Sequence, residues 1–213
     1  MRYELAVFDL DGTLADSFPF FVSVQNTLAR RHGFAEIHPD DVERLRALSP
    51  RELMRHVGLP RWKLPFVARG FMQLMRERAE PVPLFDGIAD AMGRLHAQGV
   101  TLAVVTSNAV DNARGALGEP HFSRLRHVEC GASMFGKARR LRRVLKATGI
   151  PADRAIYVGD QIPDGEAARA AGMAFGAVAW GYASREGLAR CEPSEWFETP
   201  AELVRIAGAS TAA

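Results

Sequence analysis

Cysteine is scarce: Cys130 and Cys191 are the only two among 213 residues. That is too few for a disulfide framework. The expectation is reduced thiols in a cytoplasmic protein, with a single bridge between the two left open. Long apolar runs are also missing, and no stretch is long enough to cross a bilayer. The start, Met1-Arg2-Tyr3-Glu4, passes into a strand without the apolar h-region of a signal peptide. A cytoplasmic location with no membrane partner is therefore expected. Nor does one sign of charge dominate: 27 Lys and Arg stand against 25 Asp and Glu, a formal net charge of +2. That is too mild to argue for nucleic acid. Arginine carries most of the positive charge, which suits anionic ligands and equally a solvated surface. Internal repeats are absent. What is present is an ordinary globular balance, 47% hydrophobic and 24% charged, sized for one large domain or a domain with a small insert.

The most informative stretch is near the start. Leu5-Ala6-Val7-Phe8 reads as a buried strand, and Asp9-Leu10-Asp11-Gly12-Thr13 follows it. Residues two apart on a strand share a face, so Asp9 and Asp11 point to one site if the strand stays extended. Gly12 instead signals a turn. In an open α/β sheet ligands sit at the carboxyl ends of the strands. A carboxylate pair there suits covalent phosphoryl transfer. One aspartate is a nucleophile that forms an aspartyl-phosphate, and the other shuttles a proton. Anions crowded beside a phosphate require a hard cation such as Mg2+. The plainer alternative is a strand end with solvated turn aspartates.

After Ser17 the periodicity becomes helical. Phe18, Phe21, Val22, Leu28 and Ala29 mark one helix, with Gln25 outside that set and Gly33 as its stop. Val42, Leu45 and Leu48 mark another segment. Ser49-Pro50-Arg51-Glu52 has the pattern of a capping box. Trp62, Phe66, Val67, Phe71 and Leu74 mark a further helix, with Pro65 in its first turn. Residues 17–80 thus read as helices only. Strand and helix then alternate, with strands at 101–105, 126–130, 155–158 and 174–179 and an edge at Trp196-Phe197. This alternation indicates a doubly wound parallel sheet, an α/β core of residues 1–16 and 81–213 with a helical cap at 17–80.

Three further sites lie at strand ends. Thr106-Ser107-Asn108 offers a hydroxyl and a helix N-terminus to phosphate, although Ser107 or Asn108 capping the next helix is the simpler reading. Lys137 opens a helix, where a positive charge opposes the dipole. That misfit suggests a role in holding phosphate among aspartates. Asp160 and Asp164 straddle a strand-to-helix turn and can face a metal beside Asp9, with Asp164 as helix N-cap the competing reading.

Asp9 through Ser17 resembles the first motif of the haloacid dehalogenase superfamily of hydrolases. Thr106, Lys137 and Gly159-Asp160 through Asp164 match its remaining three motifs in order, with Ala138 where Pro often follows the lysine. The helical insert resembles the cap of the phosphoglycolate phosphatase-like branch. The resemblance implies a Rossmann-like core and a Mg2+-dependent phosphatase acting on a small phosphorylated metabolite. It implies Asp9 as nucleophile and Asp11 as proton donor. It also implies a metal held by Asp9, the backbone carbonyl of Asp11, Asp160 and, directly or through water, Asp164. Asp11 argues against dehalogenase chemistry. Lys63, the only lysine of the cap, makes a phosphonatase unpromising. A phosphosugar mutase and a non-catalytic scaffold on the same fold stay open. Substrate selection falls to the cap, where Arg46, Arg51 and Arg55 are candidates for an anionic substrate tail. Phe18, Phe21 and Val22 offer apolar area for a dimer, so a monomer and a homodimer are both open. Trp180 and Tyr182 are assigned to core packing or to the pocket lining.

Overall fold

The apolar runs become strands: β1 (Leu5–Phe8), β2 (Thr101–Val105), β3 (Leu125–Glu129), β4 (Ala155–Gly159), β5 (Ala174–Val178) and β6 (Glu195–Phe197). The computed structural model describes residues 2–41, 44–45, 50–77, 82–131 and 136–208. The strands form one sheet in the order β3-β2-β1-β4-β5-β6, and every pairing is parallel. In β1, Leu5 lies opposite Thr101 on one side and Ala155 on the other.

Helices cover both faces, which is why the central strands are apolar at every position rather than at alternate ones. The main helices are α1 (Phe18–His32), α2 (Pro50–His56), α3 (Leu64–Glu77), α4 (Ile88–Ala97), α5 (Val110–Leu117), α6 (Lys137–Thr148), α7 (Ile162–Ala171) and α8 (Arg185–Ala189). Ala6 and Phe8 pack with Met92 and Leu95 of α4 and with Ile206. Leu5 and Val7 pack with Leu141 and Val144 of α6 and with Ala168 of α7. Each Leu or Phe buried this way contributes about 1.5–3 kcal/mol. Cys130 and Cys191 are both free thiols. No described helix is long and apolar enough to cross a membrane.

Between β1 and α4 the described residues contain helices, loops and isolated bridges but no strand. Val24, Leu28 and Leu74 form one small core there, and Ile37, Leu45 and Val57 form another. Lys63 Nζ donates to the His32 carbonyl at 2.5 Å, so its charge meets the negative end of α1. The segments leading into and out of this region are tied together. Asp16 N–H donates to Pro83 O at 2.8 Å, Phe85 N–H donates to Leu14 O at 3.0 Å, and Ala15 bridges Leu84.

Several local expectations change. α7 starts at Ile162, two residues before Asp164, because Pro163 in the first turn has no N–H to lose. Asp164 is therefore not the N-cap. It completes a capping box with Gln161. Neither Ser107 nor Asn108 caps α5, whose N-cap is Ala109 with no side-chain bond. Gln25, placed outside the apolar set of α1, is buried. Phe18 is buried too and meets Tyr182 edge-on, so it offers no area to a second copy. The large apolar side chains that are well exposed include Trp62 at 69% and Phe66 at 60%. Val42, Arg46, Leu48 and Ser49 lie outside the described residues.

Candidate active site

Asp9, Thr106 and Asp160 stand at the carboxyl ends of β1, β2 and β4, three neighbours in the sheet. The ladder runs one residue past each outer pairing. Asp9 N–H donates to Val158 O at 2.9 Å, and Thr106 N–H donates to Glu129 O at 2.9 Å. Asp9 thus continues the alternation of Leu5 and Val7 toward α6 and α7. There Lys137 Nζ donates to Asp9 Oδ2 at 2.7 Å and to Asp164 Oδ1 at 2.6 Å. After Leu10 the chain turns at Gly12, with φ +77°, where a Cβ would lie 2.4 Å from Asp160 Oδ2. That turn aims the Thr13 hydroxyl at Asp160 Oδ1, 2.9 Å away.

Carboxylate oxygens of Asp9, Asp160 and Asp164 lie within 4.8 Å of one another, all in buried residues. Burial, then the neighbouring acids, raises Asp9 well above the ordinary carboxylate range, against the pull of Lys137. Asp160 is pushed to about 7, first by burial and then by Asp164. Burial alone would lower Lys137, but Asp9 and Asp164 outweigh it and hold the ammonium charged. Three carboxylates therefore face a single ammonium. A buried set of hard oxygen donors with surplus negative charge fits a divalent cation such as Mg2+. Asp164 is the most heavily engaged of the three. It accepts from Lys137, from Tyr157 Oη at 3.1 Å and from Gln161 N–H at 3.0 Å.

This electrostatic arrangement sets a pH dependence. An ordinary aspartate ionises near 3.8, whereas Asp160 in the fold ionises near about 7. Between those values the folded state keeps a proton that the unfolded chain has released. Stability of the metal-free protein therefore falls as pH rises through that window. A divalent cation favours the ionised form and cancels the loss. Adding Mg2+ to EDTA-treated protein is expected to raise the melting temperature more at about pH 8 than at about pH 5. Thermal melts at both pH values check this, and an equal response at both would contradict it.

Asp11 is set apart from the cluster. Asn108 Nδ2 donates to its Oδ2 at 2.9 Å, and the Ser17 hydroxyl also bonds to it. Burial raises its pKa, with both hydrogen bonds opposing. Ser17 Oγ lies 2.5 Å from Tyr182 Oη. Tyr182 N–H donates to Asp160 Oδ2 at 2.8 Å, and Trp180 Nε1 donates to the Thr13 carbonyl at 3.0 Å. These two aromatics fasten the loop after β5 onto the site. Gly181 between them has no room for a side chain, since a Cβ would lie 2.0 Å from Asp160 Cβ. Gly181→Ala is expected to cost about 1–3 kcal/mol by overpacking and to blunt the Mg2+-induced rise in melting temperature. Melts with and without Mg2+ measure both effects.

The structure therefore brings Asp9, Asp11, Thr106, Asn108, Lys137, Asp160 and Asp164 to one end of the sheet. Ser107, next to buried Thr106, is exposed. Arg55 is exposed on α2, the Arg51 side chain is outside the described set, and Arg46 is outside it altogether. Sequence reasoning missed Tyr157, and it gave Ser17 no partner of its own. Tyr157 carried a signal, because a buried tyrosine in an apolar strand needs a partner for its hydroxyl.

A family model described as haloacid dehalogenase-like hydrolase matches residues 6–178. Phosphoglycolate phosphatase of Synechococcus elongatus is 32% identical over 206 residues, covering 95% of this chain and 96% of that protein. Tyrosine-protein kinase PtkA of Mycobacterium tuberculosis is also 32% identical, over 193 residues that cover 84% of this chain and 63% of that protein. Among solved structures, a haloacid dehalogenase-like family hydrolase from Streptococcus pneumoniae superposes with a TM-score of 0.81 at 19% identity, covering 95% of this chain and 97% of that one.

Proposed function

The chain belongs to the haloacid dehalogenase-like hydrolase family, and from that premise we propose that it is a Mg2+-dependent phosphatase of small phosphate monoesters. The observation that carries this reading is the buried cluster of Asp9, Asp160 and Asp164 around Lys137, with Asp11 beside it. A carboxylate oxygen of Asp9 attacks phosphorus and the ester P–O bond breaks. Asp11, whose pKa burial raises, gives its proton to the departing ester oxygen. Asp11, now ionised, takes a proton from water as that water attacks the aspartyl-phosphate. Inorganic phosphate leaves and Asp9 is restored. Lys137 and Thr106 hold non-transferring phosphate oxygens, with Ser107 and Asn108 at the mouth of that cradle. Asp9, Asp160, the Asp11 carbonyl and, directly or through water, Asp164 would hold a divalent cation, which would supply charge neutralisation.

The helices of residues 17–80 act as a cap that excludes water and selects the substrate, with Arg46, Arg51 and Arg55 as candidate contacts for an anionic tail. Phosphoglycolate is a natural first member of the substrate panel, given the end-to-end similarity to a protein of that name. A relative of equal identity carries a different activity name, so the panel rather than the name decides. The test is colorimetric phosphate release from phosphoglycolate, sugar phosphates and an aryl phosphate, with Mg2+ and then with EDTA. Turnover that EDTA abolishes is expected. No turnover by folded, metal-loaded protein across the panel would refute the reading and favour a scaffold.

A further inference from the structure

We propose that Arg140 is a positioning residue that ties the Thr106–Asn108 loop to the helix bearing Lys137, and so sets the spacing between the two halves of the phosphate cradle. Arg140 lies one turn after Lys137 on α6. Its guanidinium reaches three successive residues at the end of β3. Nη1 donates to Glu129 Oε2 at 3.0 Å and to the Cys130 carbonyl at 2.5 Å, and Nη2 donates to the Gly131 carbonyl at 3.1 Å. A guanidinium carries donors only, in a rigid planar fork, so these contacts have a single reading.

The other side of this clasp is the loop after β2. Strand β3 lies at the edge of the sheet, with β2 as its neighbour. Where their pairing ends, Thr106 N–H donates to the Glu129 carbonyl at 2.9 Å, and Gly131 N–H donates to the Asn108 carbonyl at 2.8 Å. Asn108 N–H in turn donates to Thr106 Oγ1 at 3.0 Å. That bond leaves the hydroxyl proton of Thr106 for an acceptor such as a phosphate oxygen. Gly131 is exposed and has φ +67°, and among the described residues nothing comes within 4 Å of the place a Cβ would occupy. Hydrogen bonds rather than packing set its place, and Arg140 supplies the one to its carbonyl. One path of bonds thus runs from α6 through Gly131 to Asn108 and Thr106. Lys137, on the same helix, reaches Asp9 and Asp164. Arg143 is the contrast: its bond is to the Glu129 side chain, at 3.5 Å.

This inference rests on Thr106 and Lys137 as the phosphate cradle proposed above. Arg140→Met keeps the stem and removes every donor. Arg140→Lys keeps the charge beside Glu129 but cannot serve all of those acceptors at once. Arg143→Met removes a charge from the same helix and spares the carbonyls. A cradle on non-transferring oxygens grips ground state and transition state alike, so loosening it raises KM and spares kcat. In Arg140→Met, KM for a phosphate ester and the inhibition constant of inorganic phosphate are both expected to rise about tenfold, the scale of one hydrogen bond. Arg140→Lys is expected to melt near wild type and still bind phosphate weakly. Arg143→Met is expected to bind phosphate as wild type does. In a Thr106→Val background the Arg140→Met effect should shrink, because the hydroxyl it positions is gone. Unchanged phosphate inhibition in Arg140→Met, an equal loss in Arg143→Met, full phosphate affinity in Arg140→Lys, or strictly additive losses with Thr106→Val would overturn the proposal. A second readout needs no phosphate. The Gly131 amide is expected to exchange with deuterium about tenfold faster in Arg140→Met than in wild type. If wild-type protein neither turns over nor binds phosphate, the phosphatase reading fails and this exchange decides alone. A faster rate then keeps the tie between α6 and the loop, and an unchanged rate sinks it.

Discussion

Asp9→Asn is expected to lower phosphate release by about 10^4- to 10^6-fold, the scale seen when a covalent nucleophile is removed. An amide has the shape of the carboxylate and can still accept from the Lys137 ammonium, 2.7 Å away. It cannot displace an ester oxygen at phosphorus. The fold should survive, because the change takes one negative charge out of a crowded buried cluster. In EDTA the variant should melt no lower than wild type, since Asp9 is held well above its ordinary pKa by burial. Steady-state phosphate release and a metal-free melt measure the two effects separately. A rate near wild type would move the nucleophile to another residue.

Asp11→Asn is expected to separate the two half-reactions. Loss of general acid and base catalysis costs about 10^2- to 10^4-fold, but the two steps do not suffer equally on every ester. An alkyl leaving group needs the proton, so phosphorylation of Asp9 slows. An aryl leaving group departs without it, so phosphorylation stays fast and only attack by water slows. The aryl ester should then give a burst of phenolate close to one equivalent of enzyme, followed by slow turnover. Stopped-flow measurement of the burst checks this. Equal losses on both esters with no burst would remove Asp11 from its assigned role.

The fold was legible because its determinants are local. β1, β2, β4 and β5 are apolar at successive positions, and the helices between them carry apolar faces at helical spacing. The glycines and aspartates at the strand ends marked where the site lies. What the sequence hid was side-chain partnership across long separations. Asn108 looked like a helix cap, and only the packing of β2 beside β1 brings its amide to Asp11. Tyr182 looked like an ordinary pocket or core aromatic, yet its backbone N–H serves Asp160 and its hydroxyl meets Ser17. Asp164 looked like a helix start, but a proline tolerated in the first turn moved the start and left its side chain for Lys137 and Tyr157. Phe18 fell on the apolar face of α1 as expected, but the period could not say that Tyr182 would cover it.

The position of β1 in the middle of the sheet also bears on how the chain acquires its shape. Leu5-Ala6-Val7-Phe8 is synthesised before either of its partners, which are Thr101 through Val104 on one edge and Ala155 through Val158 on the other. Such distant pairings are slow to form because long loops must close before any contact repays them. Until β2 has been synthesised, this wholly apolar segment has neither of its partner strands to join, and until β4 follows one of its edges stays open and prone to stray association. The strand that leads to Asp9 is thus made before its partners and completed late, and a nascent chain ending before residue 155 cannot flank it on both edges.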